Sequence, residues 1–259
     1  MARRLTRARQ KIEVAEIPYR VPSAAELPER IRGVAATVYL LFNEGYSAAA
    51  GDTAERHALV QQALRLARLL RRLLPDEAAL MGLLALLLLT EARRPARFDA
   101  GRVVLLPDQV RSRWDSVLIR EGVSLLGVAL RRSPGTPEPY SAQAAIAACH
   151  CLAGTAEATD WAAIVSWYDV LLTVADTPVT RLNRAVALAE RDGAEAGLAA
   201  LDGIHGLQSY ALWHAARGEL LLRAGRSCDA AVAFDAALAL PGNAPQRDHF
   251  RARRQRCGS

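Results

Sequence analysis

Three stretches of the 259-residue chain set reactive or recognition-capable side chains close together. His150 precedes Asp160-Trp161 by ten residues; an imidazole beside a carboxylate is the pair that moves protons in general acid–base chemistry. "LLPDQVRSRWD" (105–115) gathers Asp108, Gln109, Arg111 and Trp114, an acid, an amide, a guanidinium and an indole. Buried together, such groups form a polar network; exposed, they contact a partner. "FNEGYSA" (42–48) places Glu44 and Tyr46 around Gly45, where glycine past a last helical turn would take a left-handed conformation. None of the three is a catalytic motif. There is no HExxH, no glycine-rich phosphate loop, no nucleophile elbow and no carboxylate set at metal spacing. The expectation is a protein that is not an enzyme and holds no metal or cofactor. His150, on the apolar stretch "QAAIAACHCLA", reads first as a core histidine, and a His150–Asp160 enzyme is the minor alternative. Trp114, Trp161, Trp167 and Trp213 read first as packing residues, and otherwise as the lining of a peptide groove.

The elements that must carry these residues are helical. Apolar residues make up 51% of the chain and aromatics only 5%, the composition of Ala- and Leu-rich packed helices. Leu27, Ile31, Val34, Ala35, Val38 and Phe42 recur at helical spacing and predict a helix over 27–44. Asp52 to Glu55 reads as a capping box opening a helix to about residue 73. Pro75-Asp76-Glu77 opens another to about residue 92, and Thr136-Pro137-Glu138 and Thr177-Pro178 read as further starts. "FDAGRVVLLPDQ" (98–109) predicts one short hairpin-like excursion, with a turn at Asp99-Ala100-Gly101.

The last third shows a repeat. Gly218, Ala230, Phe234 and Pro241 fit the small, aromatic and proline positions of a tetratricopeptide (TPR) unit, and steps of 34 residues back from Ala230 reach Ala196 and Ala162. The expected helix pairs are 139–153 with 160–175, 178–191 with 194–204, and 208–224 with 227–239, closed by a basic helix at 244–256. The predicted fold is therefore all-α: a helical domain at 27–135, then a TPR-like α–α superhelix at 136–259.

Net charge is +6 and the pI about 9.5. The charge is dense at residues 3–11 and 247–255, which read first as solvated faces and second as nucleic-acid contacts. Four cysteines without a CxxC pair argue against a zinc site or a disulfide framework and fit a reducing cytosol. No signal peptide is evident. The most apolar run, 78–89, is too short to span a bilayer and reads as a buried helix. A cytoplasmic protein with no membrane partner is expected.

"MARRLTRARQKI" resembles the end of the helix-turn-helix of region four in extracytoplasmic-function (ECF) sigma factors of the sigma-70 class. "IPYRVPSAAELPERIRGVAATVYLLFNEGYSAAAGD" resembles the linker and first helices of an ECF group with a TPR-containing C-terminal extension. "LLALLLLTEARRPAR" (83–97), "LLPDQVRSRWD" and "YSAQAAIAACHCLAGTAEATDW" (140–161) continue the likeness in order. The resemblance implies a remnant of the region-four recognition helix at 1–12, with Arg3, Arg4, Arg7, Arg9 and Lys11 able to make weak, salt-sensitive DNA contact, and a linker at 13–26. It implies a parent protein in which two sigma domains, roughly 160–170 residues, precede this chain. The partners would be RNA polymerase and sigma regions two and four. The role would be to tune transcription initiation. Glu44, Tyr46, Arg93, Asp108, Gln109, Arg111, Trp114, Gln143, His150, Asp160 and Trp161 are then either partner contacts or a structural polar network. Glu44 is expected to pair with Arg93 or Arg94. The alternative is a free-standing TPR scaffold that binds a protein or peptide.

Overall fold

The computed structural model describes residues 10, 22–23, 25–46, 53–99 and 102–258. The chain divides into two compact units, Met1–Val34 and Ala35–Ser259. Among the described residues the fold is all-α, with twelve α-helices and one two-residue hairpin. No helix among them is long and apolar enough to cross a membrane.

In the first unit, the backbone N–H and hydroxyl of Ser23 both donate to Glu26 Oε2, at 2.9 and 2.8 Å. This local cap starts helix α1 (Leu27–Tyr46), which runs across the unit boundary. In the second unit, Ala35, Val38 and Phe42 of α1 are buried. Helix α2 (Thr53–Leu73) is strongly amphipathic: Val60, Ala63, Leu64 and Ala67 are buried at spacings of three and four.

Helix α3 (Ala78–Glu91) has no polar stripe, and every residue from Ala79 to Leu89 is buried. A helix apolar on all sides has to be enclosed. Helices α2, α5 (Ser116–Arg132) and α6 (Pro139–Leu152) pack around it. Between α3 and α5 lie the single-turn helix α4 (Arg94–Arg97), the hairpin β1 (Phe98–Asp99) and β2 (Arg102–Val103), and two 3-10 turns, Leu106–Asp108 and Arg111–Arg113. The strands are antiparallel, with Phe98 opposite Val103. The Asp115 carboxylate starts α5 by accepting from the N–H groups of Val117 and Leu118.

The remaining helices are α7 (Trp161–Val174), α8 (Pro178–Asp192), α9 (Ala194–Asp202), α10 (Ala211–Arg223), α11 (Ser227–Ala239) and α12 (Ala244–Gln255). Helix α6 packs on α7, α8 on α9 and α10 on α11, and each pair packs on the next along the chain. A single residue, Gly193 at φ 98°, joins α8 to α9. The Gly218 backbone lies against the buried Phe234 ring, so closely that a Cβ on residue 218 would sit 2.9 Å from ring carbons. Phe250 of α12 inserts into the end of the apolar core. The basic run at the C-terminus is matched by acids: Arg251 pairs with Asp248, Arg253 with Glu219 and Arg254 with Asp235. Arg247 donates to the carbonyls of Leu238 and Leu240 at the end of α11.

Several expected boundaries moved. Helix α6 begins at Pro139, and neither Thr136 nor Glu138 provides a side-chain cap. Pro75 lies in the turn before α3, with Glu77 at the cap position. The hairpin spans only 98–103, and Leu106 to Asp108 form a 3-10 turn because Pro107 supplies helical φ and no donor. Helix α1 continues past Gly45, which is not left-handed. Its glycine serves close approach instead: a Cβ there would stand 2.6 Å from the Arg56 carbonyl oxygen and 2.9 Å from side-chain atoms of Leu59 and Val60. Ala100 and Gly101 of the expected turn, Asp52 and the side chains of 53–55 of the expected capping box, and residues 1–9 and 11–21 lie outside the described residues.

Gly45→Ala pushes a methyl group into backbone rather than into a movable side chain. The expected cost is about 1–3 kcal/mol, read as a lower midpoint in chemical denaturation. A variant as stable as the parent would contradict this packing.

Candidate functional site

The expected site residues fall into two groups around the loop that follows α3. The first group closes the polar end of that apolar helix. Glu91 is only 6% exposed, and its two carboxylate oxygens share the single Nε–H of Arg94, at 2.8 and 2.7 Å. Tyr46 stacks on Phe42, donates its hydroxyl to the Thr90 carbonyl at 3.2 Å, and lies under the Arg97 guanidinium at 3.9 Å from its centroid. Burial pulls the Arg97 pKa below its ordinary value, and Arg93 and Arg94 add to that, while Tyr46 opposes it. The backbone N–H of Asp115 donates to the Ala92 carbonyl at 2.9 Å, fastening the start of α5 to the end of α3.

This arrangement corrects one expected pairing. Glu44 is exposed and makes no ion pair among the described residues, since Arg94 is held by Glu91. Glu91 itself looks like one of several scattered acids in the sequence, yet it is the buried partner. Arg93 is half-buried, and its Nε has no hydrogen-bond partner among the described residues.

The second group joins the loop to the first helix pair. Arg111 Nη1 donates to the carbonyls of His150 and Ala153, at 2.8 and 3.2 Å. It thereby satisfies the open C-terminus of α6 with a cation. The same guanidinium lies 4.6 Å from the ring centroid of Trp114, which is 7% exposed. Gln109 donates to the Val104 carbonyl at 3.1 Å. Asp108 is exposed and stands apart from this network. Gln143 lies elsewhere on α6, where it accepts from the Tyr39 hydroxyl at 3.3 Å.

His150 meets Trp161 edge-on, with ring centroids 5.3 Å apart. Burial first, then the charges of Arg93 and Arg111, lower its pKa to about 4. The minor alternative, a His150–Asp160 pair, is not formed among the described residues: Asp160 caps α7 by accepting from the Ala163 N–H at 2.8 Å. Cys149 and Cys151 are raised in pKa chiefly by burial. Among the described residues no three His, Cys, Asp or Glu side chains converge to hold a metal ion. Arg3, Arg4, Arg7, Arg9 and Lys11 lie outside the described residues.

A cleft of ≈ 650 Å³ opens where this loop meets α6, α7 and α8. Arg111, His150 and Trp161 line it, as do Tyr168, Asn183 and Glu190. Sequence reading missed the last three. Burial raises the Tyr168 pKa to about 12, so its hydroxyl stays protonated. Asn183 is exposed and makes no hydrogen bond among the described residues, whereas Glu190 pairs with Arg223 at 2.5 Å. The cleft thus offers an indole, a phenol, a neutral imidazole and an unengaged amide over the apolar wall of Ile164 and Val186. An amide can donate to and accept from a peptide backbone at once, and flat aromatics cover apolar side chains.

Residues 30–130 match the model of a family of unknown function (DUF6596). The chain is similar to the uncharacterized protein R00370 of Rhizobium meliloti (strain 1021), with 46% identity over 254 residues. The match takes in 97% of this chain and 59% of that protein, so the chain spans little more than half of its curated relative's length. No solved structure matches the chain.

Glu91→Ala leaves the Arg94 cation without its buried partner, and the expected loss is about 3 kcal/mol of unfolding free energy. His150 titrates lower in the folded state than its ordinary 6.5. Between that value and about 4, the unfolded chain takes up a proton that the folded chain refuses, so stability falls as pH is lowered through this window. Denaturation midpoints measured from pH 7 to 4 should fall less steeply in His150→Gln than in the parent. Identical slopes would refute the assignment.

Proposed function

We propose that this chain is the regulatory C-terminal extension of an ECF sigma factor, acting in the cytoplasm by contact with the sigma core or RNA polymerase. In this reading α6 to α11 form a TPR-like array, and the cleft beside the 104–115 loop receives an extended peptide of the partner. The observation that carries the reading is the convergence of Arg111, His150 and Trp161 on one cleft, from two sequence blocks that both resemble the ECF extension. Arg111 donates through Nη1 to the end of α6 and so holds the loop in place, while Trp161, Tyr168 and Asn183 face the partner. The order of helix packing supports the array, because in a repeat solenoid each unit contacts its neighbours. About two fifths of the Rhizobium relative lies outside the match, which is room for two further domains of ordinary size.

Contact of this kind can regulate when a ligand or partner biases one of two domain arrangements. Purified chain, tested by biolayer interferometry against sigma regions two and four and against RNA polymerase, should bind at least one of them. Asn183→Ala, which removes only an exposed amide, should weaken that binding about tenfold, within the range of a desolvated hydrogen bond. Its thermal midpoint should not move. Absence of binding to every one of these, with capture of unrelated extended peptides through the same cleft, would replace this reading with that of a free-standing scaffold.

A further inference from the structure

Helix α2 carries a second surface, remote in sequence from the cleft. Its buried stripe is satisfied by the fold, but its outer face presents Arg65, Arg68, Arg71 and Arg72, all exposed. These four border a groove of ≈ 520 Å³ with Leu66, Leu69 and Leu84 in its apolar lining, and among the described residues the one acid in that lining is Glu121 of α5. Leu69 is 42% exposed. Among the described residues Arg65 is engaged by the neutral amide of Gln62, and Arg71 and Arg72 make no ion pair. Arg68 pairs with Glu121 at 3.0 Å, with both side chains about two fifths exposed. An exposed pair of that kind contributes little and can be exchanged for another carboxylate.

We infer that this groove is a docking site for an acidic amphipathic helix of a partner protein. Residues 65, 68, 69 and 72 lie on one face of α2 at the i, i+3, i+4 and i+7 positions, so three cations flank an exposed leucine there. A helix with carboxylates at the same spacing meets those cations, and an apolar side chain between them covers Leu69 and the half-buried Leu66. Nucleic acid suits the groove less well. Phosphates at Arg68 would meet the Glu121 carboxylate, leucines lie among the cations, and among the described residues no aromatic ring lines the groove to stack on a base. This inference does not rest on the proposed sigma role or on the cleft.

The test uses the whole chain and a fluorescein-labelled helical peptide with Glu and Leu at matching spacing, read by anisotropy. The controls are a peptide of the same composition with its Leu residues dispersed around the helix, and a short DNA duplex as competitor. The matched peptide should bind, and Arg72→Glu and Leu69→Ser should each weaken it at least about fivefold. Glu121→Gln, which frees Arg68, should tighten it. Because the variants alter exposed or half-exposed side chains, circular dichroism should remain that of the parent, and Glu121→Gln gives a gain that unfolding cannot mimic. Equal binding of the dispersed peptide would overturn the inference. So would displacement by the duplex at equal charge, or indifference to all three substitutions.

Discussion

A helix with no face for water governs this structure. From Ala79 to Leu89, α3 is buried on every side. Each of its leucines contributes about 1.5–3 kcal/mol when fully removed from water, a gain realised only if other helices surround it. Helices α2, α5 and α6 do so. Their own stripes are therefore read against a single central rod, and helix α6, the first of the paired helices, is anchored by it. The register of everything downstream starts from that contact.

An apolar rod must end somewhere, and its end is where the chemistry concentrates. Within a few residues the chain passes from leucines to Thr90, Glu91, Arg93 and Arg94. There Tyr46 reaches the Thr90 carbonyl, Arg94 holds Glu91, and Asp115 is tied to Ala92. The loop then turns Arg111 onto the C-terminus of α6. Such links are directional where hydrophobic contact is not, and a buried charge tolerates only the arrangement that pairs it. The apolar residues supply cohesion, and the arginines select which of the possible packings is adopted.

Much of this architecture was legible in the residues. The buried helix within the apolar run at 78–89, the helical period of α1, the three helix pairs and the Thr177-Pro178 start all follow from local period and cap chemistry. Partnership across the chain was less legible. Glu91 and Asp108 look alike as isolated acids, but only the fold decides that one is buried beside Arg94 and the other faces water. Gly45 has the spacing of a helix terminator and serves as a crossing point, because what matters is the approach of α2 and not the local turn. Within the cleft, Arg111, His150 and Trp161 stood out by type. Asn183 and Tyr168 sit in ordinary amphipathic helices and acquire meaning only from what lies opposite them.

The linkage between α8 and α9 gives the array a mechanical character. With Gly193 alone between them, any change of angle between the two helices has to be made in the few backbone dihedrals around one residue. Longer connections, 153–160 and 203–210, bracket the α7–α9 segment. A change of angle between that segment and its neighbours can instead be spread over the residues of these longer connections. The Asn183 and Val186 wall of the cleft belongs to that segment, and so does the Trp161 and Tyr168 wall, so the two share one orientation.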